Sequence, residues 1–255
     1  MGIAHPGGMY PPLPEKANGM KKLLSIITVA YNDRDNLEQT IKGVISQMTP
    51  EVEFIIVDGG STDGTVELVK TFSGHVTTFV SEPDKGIFDA MNKGIKLSTG
   101  DWAIFINAGD ELVAGALGRI DLSQYEESAV VYGDTIRDGN RADRPFKLKK
   151  IESGSMPACH QSMLYNMKVL GKEMYYDTTF PLFGENELLM RVYVRGFKIT
   201  YLDTAVSKFQ GGGISATVSS QVRKARYLFL YKHFGIIGVM KGIGHKLGLI
   251  KYSKI

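Results

Sequence analysis

The stretch Ser81–Leu112, SEPDKGIFDAMNKGIKLSTGDWAIFINAGDEL, decides the fold that we predict for this chain. A loop with Pro and Gly breakers opens it, and apolar residues then recur at helical spacing from Ile87 to Leu97. The run Trp102–Ile106 is apolar throughout, as expected for a strand that is covered on both faces. The polar loop Asn107–Glu111 follows, and open α/β sheets place ligand chemistry at this end of a buried strand.

The segments before this stretch predict a parallel sheet. Lys22–Ala30 and Val52–Val57 are β-branched, apolar runs that fit buried strands, and a helical stripe from Leu37 to Ile45 separates them. A strand, a helix and a strand within about 30 residues form a βαβ unit, which requires parallel strands. The loop Asp58–Thr65, DGGSTDGT, follows the second strand, and Val76–Val80 supplies a third.

The rest of the chain predicts further alternating elements. We expect strands at Ala129–Thr135 and Phe197–Leu202, a charged hairpin-like excursion at Arg137–Lys150, and a helix that starts at Gly184. Its apolar face would consist of Leu188, Leu189 and Val192. Three consecutive glycines within Ala205–Ser215 predict a flexible loop near the ligand cleft.

Composition limits the class of protein. The chain has 255 residues, 43% hydrophobic and 22% charged, which suits one large domain or one domain with an appendage. No apolar run approaches the ~18 residues of a membrane-spanning helix, and the first residues do not resemble a secretory signal. We therefore expect a cytoplasmic protein, and its single cysteine, Cys159, agrees with a reducing compartment.

Charge is distributed unevenly along the chain. The first 203 residues hold 21 basic and 27 acidic residues, whereas the part after Asp203 holds nine Lys or Arg and no acidic residue. Residues 221–255 mix these charges with aromatic and aliphatic side chains, as in a helix lying in an anionic membrane interface. A helix packed on the core is the alternative. Nucleic acid is not expected as a partner, because the acidic body would repel phosphate.

Three motifs carry a family resemblance. VDGGSTDGT, DKGIFDAMNKGI and FINAGDEL are similar to the family 2 glycosyltransferases of the GT-A fold, especially bacterial colanic-acid-type enzymes that build exopolysaccharide. Matching motifs run from Leu24 to Ser215. The resemblance implies a Rossmann-like, mostly parallel sheet flanked by helices, with a basic C-terminal helical extension. We expect a leader at 1–20, the GT-A domain at 21–215 and the extension at 216–255.

The resemblance also implies an activity and a set of site residues. The activity is inverting transfer of a sugar from a UDP- or GDP-linked donor to a saccharide, which we expect to be lipid-linked, in surface polysaccharide synthesis. Glu185 would be the general base, with Glu187 as the alternative, and Asp110 would hold Mn or Mg. His160 and Gln161 would face the acceptor or the diphosphate. The residues expected to contact the donor nucleotide are Ala30, Tyr31, Asp58, Lys85, Asp89, Asn92 and Asn107.

Two positions depart from the family pattern. Asn107 stands where the family has the first carboxylate of a DXD-like pair, and Glu185 stands where it usually has aspartate. These departures leave open a non-catalytic protein that binds sugar nucleotides. A nucleotidyltransferase is a further alternative, whereas a dehydrogenase would need the missing GxGxxG fingerprint.

The same residues also have structural explanations. Asp58 and Asp110 could be turn residues, and acidic groups in the first turn of a helix suit its dipole. Thiol catalysis by adjacent Cys159 and His160 is disfavoured, because neighbouring side chains on an extended chain point apart.

Overall fold

The structure is a computed structural model that describes residues 23–137, 139–142, 146–209 and 220–246. The expected leader and the three-glycine segment lie outside these residues. The strands are β1 Leu24–Ala30, β2 Val52–Asp58, β3 Thr78–Ser81, β4 Trp102–Phe105, β5 Glu111–Leu112, β6 Val130–Arg137, β7 Asn140–Ala142, β8 Met163–Asn166 and β9 Ile199–Lys208. The α-helices are α1 Arg34–Ile45, α2 Thr65–Thr71, α3 Ile87–Leu97, α4 Met167–Leu170, α5 Gly184–Val194 and α6 Ser220–Lys246.

The strands form one mixed sheet in the order β3-β2-β1-β4-β8-β6-β9-β5, with β7 paired to β6. The first four of these strands are parallel, as the βαβ pattern predicts. Beyond β4 the sheet becomes mixed, because β8 runs antiparallel to both β4 and β6 while β9 runs parallel to β6. The carboxyl ends of β1, β2 and β4 therefore meet at the same edge as the amino end of β8.

Helices cover both faces of this sheet. In β1 the side chains alternate, so that Ile26 lies in the cluster under α1 and α2, and Ile27 lies in the cluster under α3 and α5. Close approach requires small residues: a Cβ on Gly94 of α3 would lie 2.4 Å from the Ile27 Cγ2 atom. The parallel strands are thus held between two apolar layers, which fixes the position of their ends.

One expected loop is a strand. Ala205–Lys208, expected to begin a flexible loop, continues β9 and pairs with β6 and β5, so that prediction was wrong for these residues. The physical reason is burial, since Val206 and Ser207 are fully covered in the sheet. Pairing partners distant in sequence made this segment a strand despite the glycines that follow it.

The C-terminal helix is bent at Gly235, whose φ of 60° and ψ of −153° are not helical. A Cβ on Gly242 would lie 2.6 Å from Leu230 Cδ1. A straight helix would separate two such residues by about 18 Å, so the second half of α6 returns along the first. Phe229 and Leu230 are buried in the core, which confirms that the helix packs on the body.

The outer face of α6 is apolar. Tyr231, Ile236, Ile237 and Met240 are each more than 60% exposed. Among the helices in the described residues, α6 included, none combines the length and the apolar character needed to cross a membrane.

Candidate functional site

The expected site residues gather at the edge where the parallel strands end. Ala30 and Asp58 are paired at the ends of β1 and β2. The backbone after β4 stays with β1, because the Ala108 N–H donates to the Val29 carbonyl oxygen. His160 precedes β8, the antiparallel neighbour of β4, and thus lies at the same edge. Residues from four separate segments are brought together by this topology.

Asp58 is fully buried and has one carboxylate oxygen to spare. Its Oδ2 accepts hydrogen bonds from the backbone N–H groups of Gly60 and Ser61, at 3.1 and 3.0 Å, and from the Ser81 hydroxyl at 2.6 Å. Its Oδ1 is buried and has no hydrogen-bond partner among the residues that the structure describes. A buried acceptor without a partner is costly, so this atom is suited to an N–H or O–H of a ligand.

Three other expected nucleotide contacts, Tyr31, Lys85 and Asp89, lie in the segments that follow β1 and β3. Tyr31 is largely exposed and lies against Gly59, where an added Cβ would come within 3.2 Å of the Tyr31 ring and 2.5 Å of Asp84 Oδ2. Lys85 is exposed, and its backbone N–H donates to Asp89 Oδ2 at 3.0 Å. An aromatic ring near the buried Asp58 suits a base, and an exposed lysine in the loop after β3 suits a phosphate.

Asn92 has a structural role in this arrangement. Its amide donates to the Tyr176 carbonyl oxygen at 3.0 Å and accepts from the Tyr176 N–H at 2.8 Å. Both ends of the amide are therefore committed to the backbone that precedes α5. We leave Asn92 out of the nucleotide contacts proposed below.

The second group of site residues surrounds Asp110. Its Oδ1 accepts from Gln161 Nε2 at 3.1 Å, and its Oδ2 accepts from the Asn107 backbone N–H at 3.0 Å. His160 Nε2 lies 3.5 Å from Asp110 Oδ2, and His160 Nδ1 lies 3.4 Å from Glu185 Oε1. One imidazole ring thus separates the two carboxylates that the sequence predicts to be the metal ligand and the base.

The two carboxylates set the charge of this imidazole. Burial lowers the pKa of His160, but the charge of Glu185 and the hydrogen bond and charge of Asp110 raise the pKa to about 9. His160 is then an imidazolium near neutral pH, and both of its ring nitrogens donate. Asn107 Nδ2 stands 3.1 Å from His160 Nε2, while Asn107 Oδ1 is buried without a partner in the described part of the chain. With the amide oxygen in the Nδ2 position instead, Asn107 would accept a hydrogen bond from the imidazolium.

Stability should therefore fall in alkaline solution. The folded-state pKa of about 9 lies above the value near 6.5 of an unfolded histidine, so the pairing contributes fully below about pH 6.5 and is lost as the pH rises through about 9. Urea unfolding at pH 6 and pH 9.5 should differ by up to about 3 kcal/mol in the free energy of unfolding. His160→Gln should remove most of that difference. An equally steep loss in the variant would contradict the pairing.

Glu185 is the more accessible of the two candidate bases. Its side chain is 23% exposed, in the first turn of α5. Glu187 is buried, and its two oxygens accept from Arg191 at 3.3 and 2.9 Å. The alternative base is thus held in an ion pair, and the geometry favours Glu185. Gly184 lets this turn approach the Phe88 ring, because a Cβ there would lie within 2.7 Å of it.

Cys159 faces away from this group. Its sulfur accepts a hydrogen bond from Arg137 Nη2 at 2.8 Å, whereas His160 lies between Asp110 and Glu185. The structure thus gives the two adjacent side chains different partners, in agreement with the expectation from sequence.

A divalent cation would find few ligands in the protein itself. Within the described residues, the structure has no group of three His, Cys, Asp or Glu side chains arranged to hold a metal ion. Asp110 supplies one carboxylate, and the Asn107 amide oxygen would be a second ligand if it faced the cation. These hard oxygen ligands fit Mg²⁺ or Mn²⁺ once a diphosphate contributes further oxygens.

Sequence reasoning missed Thr40. This buried residue of α1 contacts the Asn107–Asp110 loop through its hydroxyl. A threonine inside an amphipathic helix carries no signal of such a contact, because the contact depends on tertiary packing.

Comparison with known proteins gives matches among glycosyltransferases. The family model described as Glycosyl transferase family 2 matches residues 25–191. A PGL/p-HBAD biosynthesis glycosyltransferase of Mycobacterium bovis is 30% identical over 206 residues, covering 77% of this chain and 80% of the relative. The putative teichuronic acid biosynthesis glycosyltransferase TuaG of Bacillus subtilis is 34% identical over 94 residues, covering 36% of this chain and 37% of the relative.

Solved structures share the fold. S. aureus TarS in complex with UDP-GlcNAc has a TM-score of 0.65 at 15% identity, covering 89% of this chain and 73% of that chain. The mannosyltransferase PcManGT from Pyrobaculum calidifontis, in complex with GDP-Man and Mn²⁺, has a TM-score of 0.61 at 13% identity, covering 97% and 79%. These likenesses confirm the GT-A fold expected from the sequence.

Proposed function

This chain belongs to glycosyl transferase family 2 and is a glycosyltransferase, and from this premise we propose that it transfers a sugar from a nucleoside diphosphate to a saccharide with inversion. The observation that carries the proposal is the meeting of Asp58, Asp110, His160 and Glu185 at one edge of the sheet. Asp58 offers a buried acceptor without a partner among the described residues, and Glu185 offers a partly exposed carboxylate across one imidazole from Asp110.

The donor nucleotide would occupy the Asp58 side of the edge. Asp58 Oδ1 would accept from the base or ribose, Tyr31 would contact the ring, and Lys85 would face phosphate. Ala30 and Asp89 would line the same region. Support for a UDP- or GDP-linked donor comes from similar folds solved with UDP-GlcNAc and GDP-Man.

The transfer step would use Glu185 as general base. The acceptor hydroxyl gives its proton to the Glu185 carboxylate, and its oxygen attacks the anomeric carbon as the bond to the diphosphate breaks. His160 Nδ1, 3.4 Å from Glu185 Oε1, would orient this carboxylate toward the acceptor hydroxyl. The nucleoside diphosphate leaves with the bonding electron pair, and attack from the opposite face inverts the anomeric configuration.

The leaving group needs compensation for its charge. Enzymes of the GT-A fold generally use a divalent metal, and we propose that Asp110 and Asn107 hold Mn²⁺ or Mg²⁺ in this chain. The cation would supply charge neutralisation for the departing diphosphate. Gln161 fixes the Asp110 carboxylate by a hydrogen bond of 3.1 Å.

The acceptor is proposed from the relatives. Similar enzymes are named for PGL/p-HBAD and teichuronic acid biosynthesis, which supports a lipid-linked or polymeric saccharide of the cell surface. His160 and Glu185 would face this acceptor.

We also propose residues 21–215 as the transferase domain and 216–255 as a basic extension, consistent with the start of α6 at Ser220.

Donor binding can be tested by thermal shift. We expect one nucleoside diphosphate among UDP, GDP, CDP, dTDP and ADP to raise the melting temperature in the presence of Mn²⁺. At about 100 times its Kd such a ligand adds about 2.7 kcal/mol. With EDTA the shift should shrink. An equal shift in EDTA would remove the cation from the proposal, and no shift with any of them would favour a different function.

The outer face of α6 is proposed to dock on an anionic membrane surface, which would place a cytoplasmic enzyme beside a lipid-linked acceptor. Its apolar residues Tyr231, Ile236, Ile237 and Met240 are exposed in a segment whose sequence has only basic charges after Asp203. Apolar contact together with positive charge suits acidic lipid headgroups.

Point substitutions test this docking, because a deletion would also remove core residues Phe229 and Leu230. The triple variant Ile236→Asn, Ile237→Asn, Met240→Asn should lose at least about tenfold in binding to phosphatidylglycerol vesicles while keeping its melting temperature. Pure phosphatidylcholine vesicles are the control. Membrane docking would be contradicted if the variant bound these vesicles as well as the native chain, or if the native chain did not bind them. It would also be contradicted if the substitutions changed the oligomeric state and left vesicle binding unchanged.

A further inference from the structure

A single hydroxyl on α1 contacts three backbone groups of the Asn107–Asp110 loop. Thr40 Oγ1 accepts the Gly109 N–H at 3.0 Å and lies 3.0 Å from the Asp110 carbonyl oxygen and 3.3 Å from the Asn107 carbonyl oxygen. A hydroxyl has one proton and two lone pairs, so one atom can serve this donor and share its proton between the two carbonyls. Thr40 thereby contacts three of the four loop residues.

The loop is held by internal hydrogen bonds and by contacts with the body of the protein. Its own hydrogen bonds run from the Asp110 N–H to the Asn107 carbonyl oxygen at 2.9 Å and from the Asn107 N–H to Asp110 Oδ2 at 3.0 Å. Both of these bonds lie within the turn. The turn is joined to the body of the protein by the Ala108 N–H, which donates to the Val29 carbonyl oxygen at 3.3 Å, by Gln161 Nε2, which donates to Asp110 Oδ1 at 3.1 Å, and by Thr40. Gly109 has a φ of 87°, a conformation that few other residues adopt. Of these anchors, Thr40 is the one that contacts the backbone of Asn107, Gly109 and Asp110 together.

The anchor itself is rigid. Leu37, Ile41 and Val44, on the same face of α1, are buried in the core, and Thr40 is only 3% exposed. A side chain on a packed helix holds its position better than one on a loop, and a binding group misplaced by about 1 Å loses much of its effect.

We propose that Thr40 is a positioning residue for the transfer reaction, whose hydroxyl holds the Asp110 carboxylate in the place where it would bind the cation of the donor diphosphate. This inference rests on the proposed function. A positioning role differs from a purely structural one in its effect on kinetics. Removing a purely structural hydroxyl would change stability alone and leave the kinetics of the folded enzyme unaltered.

The test compares three variants. Thr40→Val keeps the shape and removes the hydroxyl, whereas Thr40→Ser keeps the hydroxyl. Thr200→Val is the control. The Thr200 hydroxyl lies 2.7 Å from the Ser128 hydroxyl, near the amino ends of β9 and β6 and thus away from the site. Well below the melting temperature, we expect Thr40→Val to raise the Kd for the nucleoside diphosphate with Mn²⁺, and to lower kcat/KM for its sugar nucleotide, by about tenfold or more.

The conservative variant and the control separate the explanations. Thr40→Ser should stay within about threefold of the native chain, and Thr200→Val should lose stability but keep its kinetics. Native Kd and kcat/KM in Thr40→Val would overturn the inference. If Thr40→Val does not fold, Gly109→Ala, which strains the same turn because Gly109 has a φ of 87°, should give the same losses. Native kinetics in that variant would overturn the inference equally. If the native chain neither turns over a sugar nucleotide nor binds a nucleoside diphosphate, the proposed function itself is wrong.

Discussion

Replacing Glu185 with glutamine should lower kcat by about 10²- to 10⁴-fold while leaving the Kd of the donor nearly unchanged. Glutamine preserves the size of the side chain and can still bond His160 Nδ1, which lies 3.4 Å from the native carboxylate. It cannot accept a proton from the acceptor hydroxyl. The loss should therefore appear in the chemical step, as measured by nucleoside diphosphate release under donor saturation.

A matched control is available on another helix. Glu67 lies exposed in the first turn of α2, as Glu185 lies in the first turn of α5, and Glu67→Gln should retain native kcat. Glu187→Gln should mainly reduce stability, because it weakens the buried pair with Arg191. Full activity in Glu185→Gln, or a loss confined to donor affinity, would remove Glu185 as the base.

Asp58→Asn should weaken binding of the nucleoside diphosphate by about 10- to 100-fold. The three groups that bond Oδ2 are all donors, so the amide oxygen of asparagine must take that place. The amide NH₂ then replaces the free Oδ1 and meets the nucleotide as a donor instead of an acceptor. The loop should keep its conformation while the complementarity to a ligand N–H or O–H is lost.

Isothermal titration calorimetry with the nucleotide chosen by thermal shift measures this effect. The melting temperature of the free variant should stay near the native value, which separates lost recognition from a misfolded loop. Native affinity in a folded Asp58→Asn variant would mean that Oδ1 does not face the nucleotide.

Much of the fold follows from local sequence. The helix predicted at Ile87–Leu97 has those bounds in the structure, and the strands near Leu24–Ala30 and Val52–Asp58 lie within a residue or two of their apolar runs. In these segments the apolar residues follow a regular helix or strand pattern and turn-forming residues bound them, so local chemistry and tertiary packing agree. β9 could not be bounded in this way, because Ala205–Lys208 becomes a strand only through its distant partners.

The candidate site was predictable in its members but not in its contacts. Motif resemblance identified Asp110, His160 and Glu185, yet the position of one imidazole between two carboxylates depends on β8 and α5 meeting the end of β4. Asn92 shows the reverse case, since its place in a motif suggested a ligand contact while its amide bonds Tyr176. Residue type and spacing reveal the chemistry available, and tertiary contacts decide how it is used.

Turnover of a sugar nucleotide tests the central claim most directly. The native chain is incubated with the sugar forms of the nucleotide that it binds, Mn²⁺ and a lipid-linked or soluble saccharide, and the released nucleotide and the product are analysed. We predict acceptor-dependent release of nucleoside diphosphate and, by proton NMR, a new glycosidic bond with the anomeric configuration opposite to that of the donor. Retention of configuration, pyrophosphate release from a nucleoside triphosphate, or binding without turnover would contradict the account.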